Sequence, residues 1–127
     1  MRRFRAERGA VAVEFALVVP VLLMMVFAIV EFGIIYNSQL QVTAAVREGA
    51  REAALGASAA EVRSTVVAAA SGLTPDLTAA NVRVTPATCS TGADVTVSVV
   101  DYRAGSITGL FSDGVEVGAT VVMRCGA

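Results

Sequence analysis

Three hydropathy patterns follow one another along the chain. Over residues 10–30 there is no period, because the run is apolar apart from Pro20 and one ionisable side chain, Glu14. As a helix rising about 1.5 Å per residue, this run covers roughly 32 Å, enough to cross the hydrocarbon core of a bilayer. Pro20 has no amide hydrogen, so the carbonyl of Ala16 loses its partner and a helix kink is expected there. Neighbours in a membrane can repair such a defect. Beyond the run, Val42, Ala45, Val46, Gly49, Ala50, Ala53 and Ala54 recur at the spacing of one helical face. Asn37, Ser38, Gln41, Arg47, Glu48, Arg51 and Glu52 form the opposite, polar face, where Glu48 with Arg51 and Arg47 with Glu52 offer modest pairing. The helix is therefore expected to continue past the membrane. Its small residues let another element approach closely, either the chain's own outer domain or another subunit.

Gly56 is placed to end that helix, and Ser58-x-x-Glu61 reads as a capping box that opens a second one. Val62, Val66, Val67 and Ala70 give the second helix an apolar side that stops near Ser71-Gly72. Thr74-Pro75-Asp76 is turn chemistry. The period then becomes two. Val82 and Val84, then Val95, Val97 and Val99, then Val115, Val117, Ala119 and Val121 alternate with mainly polar residues. Three strands are predicted, at about 81–86, 93–102 and 115–124. Residues 105–111 fit a short helical turn or a loop. Two helices followed by consecutive strands predict an α+β fold: a long N-terminal transmembrane helix continuing outside the membrane, a second short helix, and a small three-stranded antiparallel sheet. Three strands make a marginal sheet, so both helices are expected to cover it.

Hydrophobic residues make up 55% of the 127-residue chain, leaving room for one outer domain at most once the helix is subtracted. The formal net charge of −1 offers no electrostatic footprint for nucleic acid. The charges are unevenly placed, with Arg2, Arg3, Arg5 and Arg8 crowding the start against Glu7. An Arg-rich flank stays cytoplasmic, which puts the N-terminus inside and the C-terminal domain outside. A secretory signal peptide shares this basic start, but its apolar run is usually shorter and ends at a small-residue cleavage site, which is not found here. An uncleaved signal anchor is the other plain alternative.

Glu14 needs a reason, because a carboxylate within a membrane span costs about 2.5–3.5 kcal/mol on insertion scales. Snorkelling to the cytoplasmic face is the simplest one. The spacing offers another: a cut after Gly9 would make Glu14 the fifth residue and Phe15 the sixth, behind a new amine. A carboxylate and an amine of neighbouring copies could then pair inside the membrane. Gly9, four residues, then Glu14-Phe15 ahead of a long apolar helix resembles the processing site of type IV-type prepilins. The continuation Glu14-Phe15-Ala16-Leu17-Val18-Val19-Pro20, with Glu31-Phe32-Gly33 at the far end, resembles the TadE-like minor pilins (pseudopilins) of the tight-adherence, or Tad/Flp, pilus. The resemblance is dense over about residues 8–55 and architectural beyond.

It implies a basic leader at 1–9 cut between Gly9 and Ala10, a transmembrane and extended helix at 10–55, and an extracytoplasmic α+β domain at 56–127. Leader removal would leave six basic against ten acidic side chains. Glu14, Phe15 and Glu31 would serve processing or assembly, Glu31 as a carboxylate solvated near the outer boundary. The implied partners are the membrane, a prepilin peptidase, other minor pilins, the major Flp pilin and the pilus assembly platform. The implied role is to initiate, anchor or cap a pilus that serves adhesion or DNA uptake. A major Flp pilin is much shorter and lacks such an outer domain. The rival reading is an uncleaved, membrane-anchored envelope binding module.

Cys89 and Cys125, both on the expected outer side, are the chain's two cysteines. In an exported domain such a pair is expected to form a disulfide, since two thiolates without histidine make an incomplete metal site. With no His and no Lys, no nucleophile elbow and no phosphate-binding glycine loop, no catalytic constellation, cofactor or small-molecule substrate is expected. The chain reads as the substrate of an enzyme.

Overall fold

The computed structural model describes residues 2–109, 111 and 113–126; Met1, Leu110, Ser112 and Ala127 lie outside the described residues, and of the side chains at 2–6 nothing is said. Helix α1 spans Arg2–Ala54 and runs through Pro20 without ending. By contacts the chain divides into two units, Met1–Gly33 and Ile34–Ala127.

The first unit is the opening part of α1. Its large apolar side chains stand open on all sides, among them Phe15, Leu17, Leu22, Met24 and Ile29. A helix that is apolar all round has no face to offer water, and this one is long and apolar enough to cross a membrane.

The second unit is built on the remainder of α1. Val42, Ala45, Val46, Ala50 and Ala53 are all buried, so the stripe of small residues packs within the chain's own domain. Gly56, at φ +96°, ends the helix. The amide of Ala57 donates to Glu52 O at 3.2 Å and that of Gly56 to Ala53 O at 3.0 Å. These two bonds are a Schellman motif, which satisfies carbonyls the helix would otherwise leave open.

Helix α2 spans Ala59–Ala69 and starts with the expected capping box. The Ser58 amide donates to Glu61 Oε2 at 2.8 Å, and the Glu61 amide donates to Ser58 Oγ at 3.3 Å. The bonds to the Ser58 backbone and then its hydroxyl hold the Glu61 carboxyl below the usual range. Val62 and Val66, one helical turn apart, are fully buried. They meet α1 at Gly49, where a Cβ would overlap Val66 Cγ2. Glycine is thus what lets the two helices approach so closely.

Strands β1 (Val82–Thr85), β2 (Asp94–Val99) and β5 (Ala119–Arg124) form an antiparallel sheet with β2 in the centre. The register pairs Val84 with Val97 and Val97 with Val121. Val82, Val84, Val95, Val97 and Val99 therefore share the buried face and join the helices in one core. Fully burying each such valine contributes on the order of 1.5–3 kcal/mol relative to exposure. The fold is α+β, with the long helix, short helix and three-stranded sheet expected from the pattern.

Two expected strands are interrupted. The second, at 93–102, breaks at Asp101, which takes φ +56°. The chain then restarts as the short strand β3 (Arg103–Ala104). The third, at 115–124, divides at Val117 and Gly118 into β4 (Val115–Glu116) and β5. β4 pairs with β3 in a separate two-stranded ribbon. At the divide the Val117 amide donates to Tyr102 O at 2.9 Å, while Gly118 O accepts from Gln39 Nε2 of α1 at 2.8 Å. A Cβ at Gly118 would sit 2.8 Å from Val99 O, so the crossing requires glycine. The described part of 105–111 is a loop with turns and contains no helix.

Candidate functional site

Gly9, Ala10, Glu14 and Phe15 lie on one helical stretch of the first unit. Val11, Glu14, Phe15 and Val18, at i, i+3, i+4 and i+7, line one shallow face. Glu14 is thus a single carboxylate set among three large apolar side chains, with Phe15 69% exposed beside it. Gly9 and Ala10 are exposed, and nothing stands within 4 Å of where a Cβ would lie on Gly9. A carboxylate set in an apolar face favours a cationic partner.

Glu31 differs from the expectation of a solvated charge at the helix end. Its side chain is 1% exposed.

Further along α1, Asn37 stays exposed, but Ser38 is buried and Gln41 half-buried, contrary to a polar face turned wholly to water. With Ile34, Asn37, Gly72, Thr74, Gly105, Ser106 and Ile107 these residues line a hollow of about 230 Å³. The Ser38 hydroxyl donates to Ile34 O at 3.1 Å, the ordinary back-bond of a helical serine. The hollow has no charged lining. Neither Glu48–Arg51 nor Arg47–Glu52 forms an ion pair; among the described residues the pairs are Arg83–Asp101 at 3.9 Å and Arg124–Asp94 at 3.2 Å, both exposed. Among the described residues no group of three or more His, Cys, Asp or Glu side chains gathers to hold a metal.

Cys89 and Cys125 are joined by a disulfide, with their Cα atoms 5.6 Å apart. Backbone bonds hold the same corner: the Cys125 amide donates to Ala93 O at 2.8 Å and the Gly92 amide to Cys125 O at 3.1 Å. The Gly126 amide donates to Ala54 O at 3.2 Å, so the last strand is fastened to the end of α1 as well.

Tyr102 and Gln39 were not singled out from the sequence. The Tyr102 hydroxyl donates to Pro75 O at 2.7 Å and so pins the turn after α2 to the strand ribbon. Its near-complete burial next to the broken strand had no sequence signal beyond its being aromatic.

No curated protein and no solved structure matches the chain. One family model does, that of the TadE-like protein, over residues 9–51. The match starts at Gly9, takes in Glu14, Phe15, Pro20 and Glu31, and ends in the small-residue face that packs on α2. Over residues 9–51, about a third of its length, the chain is similar to the TadE-like family.

Proposed function

We propose that this chain is a minor pilin, or pseudopilin, associated with a Tad/Flp pilus, and that its role is assembly and not catalysis. The apolar run of α1 spans the inner (or only) membrane once, with the Arg-rich start in the cytoplasm and residues 34–127 outside. A membrane-embedded prepilin peptidase cuts between Gly9 and Ala10. The new amine pairs with Glu14 of a neighbouring subunit, which offsets the cost of a carboxylate in the bilayer. Pro20 bends the helix where subunits pack, and the exposed Phe15 adds an assembly contact. The processed protein helps to initiate, anchor or cap the filament together with other minor pilins, the major Flp pilin and the assembly platform.

The observation that carries this reading is the coincidence at one end of α1: the TadE-like match begins at Gly9, and Glu14 stands five residues on in an otherwise apolar helical face. Intact mass of the membrane-extracted protein tests it. Mature protein should begin at Ala10, and Gly9→Val should accumulate full-length precursor in the presence of the peptidase. Glu14→Ala should still be cut and inserted but should fail to co-purify with partner pilins. Wild-type chains that keep Met1 in assembled complexes would instead favour the uncleaved envelope binding module.

A further inference from the structure

We infer that Cys89 is the sulfur through which the Cys89–Cys125 bridge is made, and that the bridge closes late, on a C-terminal corner already folded. An external disulfide exchanges with Cys89, and Cys125 then completes the bridge from inside the domain.

The two cysteines differ in what surrounds them. Residues 86–92 form bends and a turn, and all of them are exposed except Cys89, which is half-buried. Cys125 is 2% exposed and belongs to the core cluster. The attacking species in exchange is the thiolate, which is costly to form away from water, so a buried structural thiol is inert toward outside reagents. Exchange also needs a sulfur that the reagent can reach. Both considerations select Cys89.

Cys125 is held without the help of its sulfur. Its amide is bonded to Ala93 O, and its carbonyl accepts from the Gly92 amide. Arg124, just before it, pairs with Asp94 in the sheet register and donates from Nε to Asp94 Oδ1 at 3.2 Å. Gly126, just after it, is bonded to Ala54 O and packs so closely that a Cβ there would stand 2.8 Å from Thr91 Cγ2. The stretch that carries Cys89 is less restrained. Among the described residues, 86–90 make one backbone hydrogen bond, accepted by Ser90 O from the Ala93 amide at 2.9 Å. The end of β5 is thus seated by backbone bonds, and Cys89 is brought to it.

The chemistry takes two exchanges. The Cys89 thiolate attacks one sulfur of the external disulfide; the other sulfur leaves and takes up the proton that Cys89 gave up. Cys125 then attacks the Cys89 sulfur of the mixed disulfide, and the second external thiol departs with the Cys125 proton. Two electrons pass from the cysteine pair to the external disulfide, which is reduced to two thiols. The second exchange is intramolecular, between residues whose Cα atoms are 5.6 Å apart, so proximity offsets the poor exposure of Cys125. Reversal requires an outside thiol to expel a Cys125 thiolate into the core, so the closed bridge resists reduction.

Oxidised glutathione serves as the external disulfide, acting on the full-length protein in detergent. Cys125→Ser leaves Cys89 as the single thiol, and Cys89→Ser leaves Cys125. Intact mass should show glutathione adding to Cys125→Ser at least about tenfold faster than to Cys89→Ser under native conditions, and at similar rates in guanidinium chloride. Equal native rates, or faster addition to Cys125, overturn the assignment. The reduced wild-type chain gives a second reading that needs no substitution. Acid-quenched early in reoxidation, it should carry glutathione on Cys89, and a mixed disulfide mapped to Cys125 overturns the inference. Before oxidant is added, the amides of Cys125 and Gly126 should already be protected from hydrogen exchange. Exchange there at the rate of an unfolded chain means that the bridge comes before the corner, which overturns the late closure.

Discussion

Replacing Gly49 by alanine sets two effects of opposite sign against each other. In a helix interior alanine is favoured over glycine by about 0.8–1.0 kcal/mol. Against this, the new Cβ overlaps Val66 Cγ2 and comes to 3.5 Å from Val62 Cγ1. Both valines are fully buried. A valine on a helix has one strongly preferred rotamer, so Val66 cannot easily turn its methyl away. Overpacking of this kind costs about 1–3 kcal/mol. The steric effect wins, and Gly49→Ala should destabilise the domain by up to about 2 kcal/mol. For a domain of this size, each kcal/mol lowers the melting temperature by about 4–8 °C. Circular dichroism melting of the segment Ile34–Ala127, expressed without the apolar run, measures it. The deciding comparison is a cycle with Val66→Ala. Once the valine methyls are gone, Gly49→Ala should become neutral or stabilising by about 1 kcal/mol. If Gly49→Ala raises the melting temperature equally in both backgrounds, α1 and α2 do not approach at Gly49 and the packing argument fails.

Replacing Cys89 and Cys125 with serine should lower the melting temperature of the same segment, because a closure over 36 residues is worth about 4 kcal/mol in the chain-entropy model. Non-reducing peptide mapping should yield a linked Cys89–Cys125 peptide, and an unchanged melting curve on reduction would count against a stabilising bridge. Burial first, and then the negative charge of Asp76, hold the Tyr102 phenol above the usual tyrosine range. Its contribution is therefore complete below about pH 10 and lost as pH rises through the higher folded value. Tyr102→Phe should cost about 0.5–1.5 kcal/mol at neutral pH and flatten the alkaline loss of stability; an identical alkaline slope in both proteins would refute the assignment.

Local chemistry was the most legible part of the chain. Ser58 and Glu61 cap α2 as their spacing suggests, and Val95, Val97 and Val99 alternate into the core as a half-buried strand must. The disulfide was legible because two cysteines allow one intramolecular pairing. The strand breaks were less so. Val115, Val117, Ala119 and Val121 keep their alternation through the divide at Gly118, because the chain changes partner there without changing side-chain parity. Asp101 adopts its left-handed backbone for a reason three-dimensional in origin, with Val100 and Asp101 carbonyls both accepting from Asn81 Nδ2. Ser38 and Gln41 were read as facing water since polarity alone divided the helix into two faces. The fold instead turns them into a hollow formed by segments distant in sequence. Glu31 was read as solvated, whereas its side chain is buried; polarity in the local sequence does not report burial. Gly9 and Glu14 were singled out by their spacing alone, which involves no tertiary contact.

The core has a consequence for how variants of this protein will fail. At Ala45, Gly49, Ala50 and Ala53 the buried side chain is already at or near the smallest size available. Random replacement there can hardly create a void; it almost always adds volume that the neighbouring helix and sheet have no room to accept. A saturation library should therefore show a one-sided tolerance profile along this stretch, with glycine, alanine and serine surviving at the three alanines, glycine alone at Gly49, and loss growing with side-chain size. At Val62, Val66 and Val97, on the opposing surfaces, losses should appear in both directions, from holes on one side and crowding on the other.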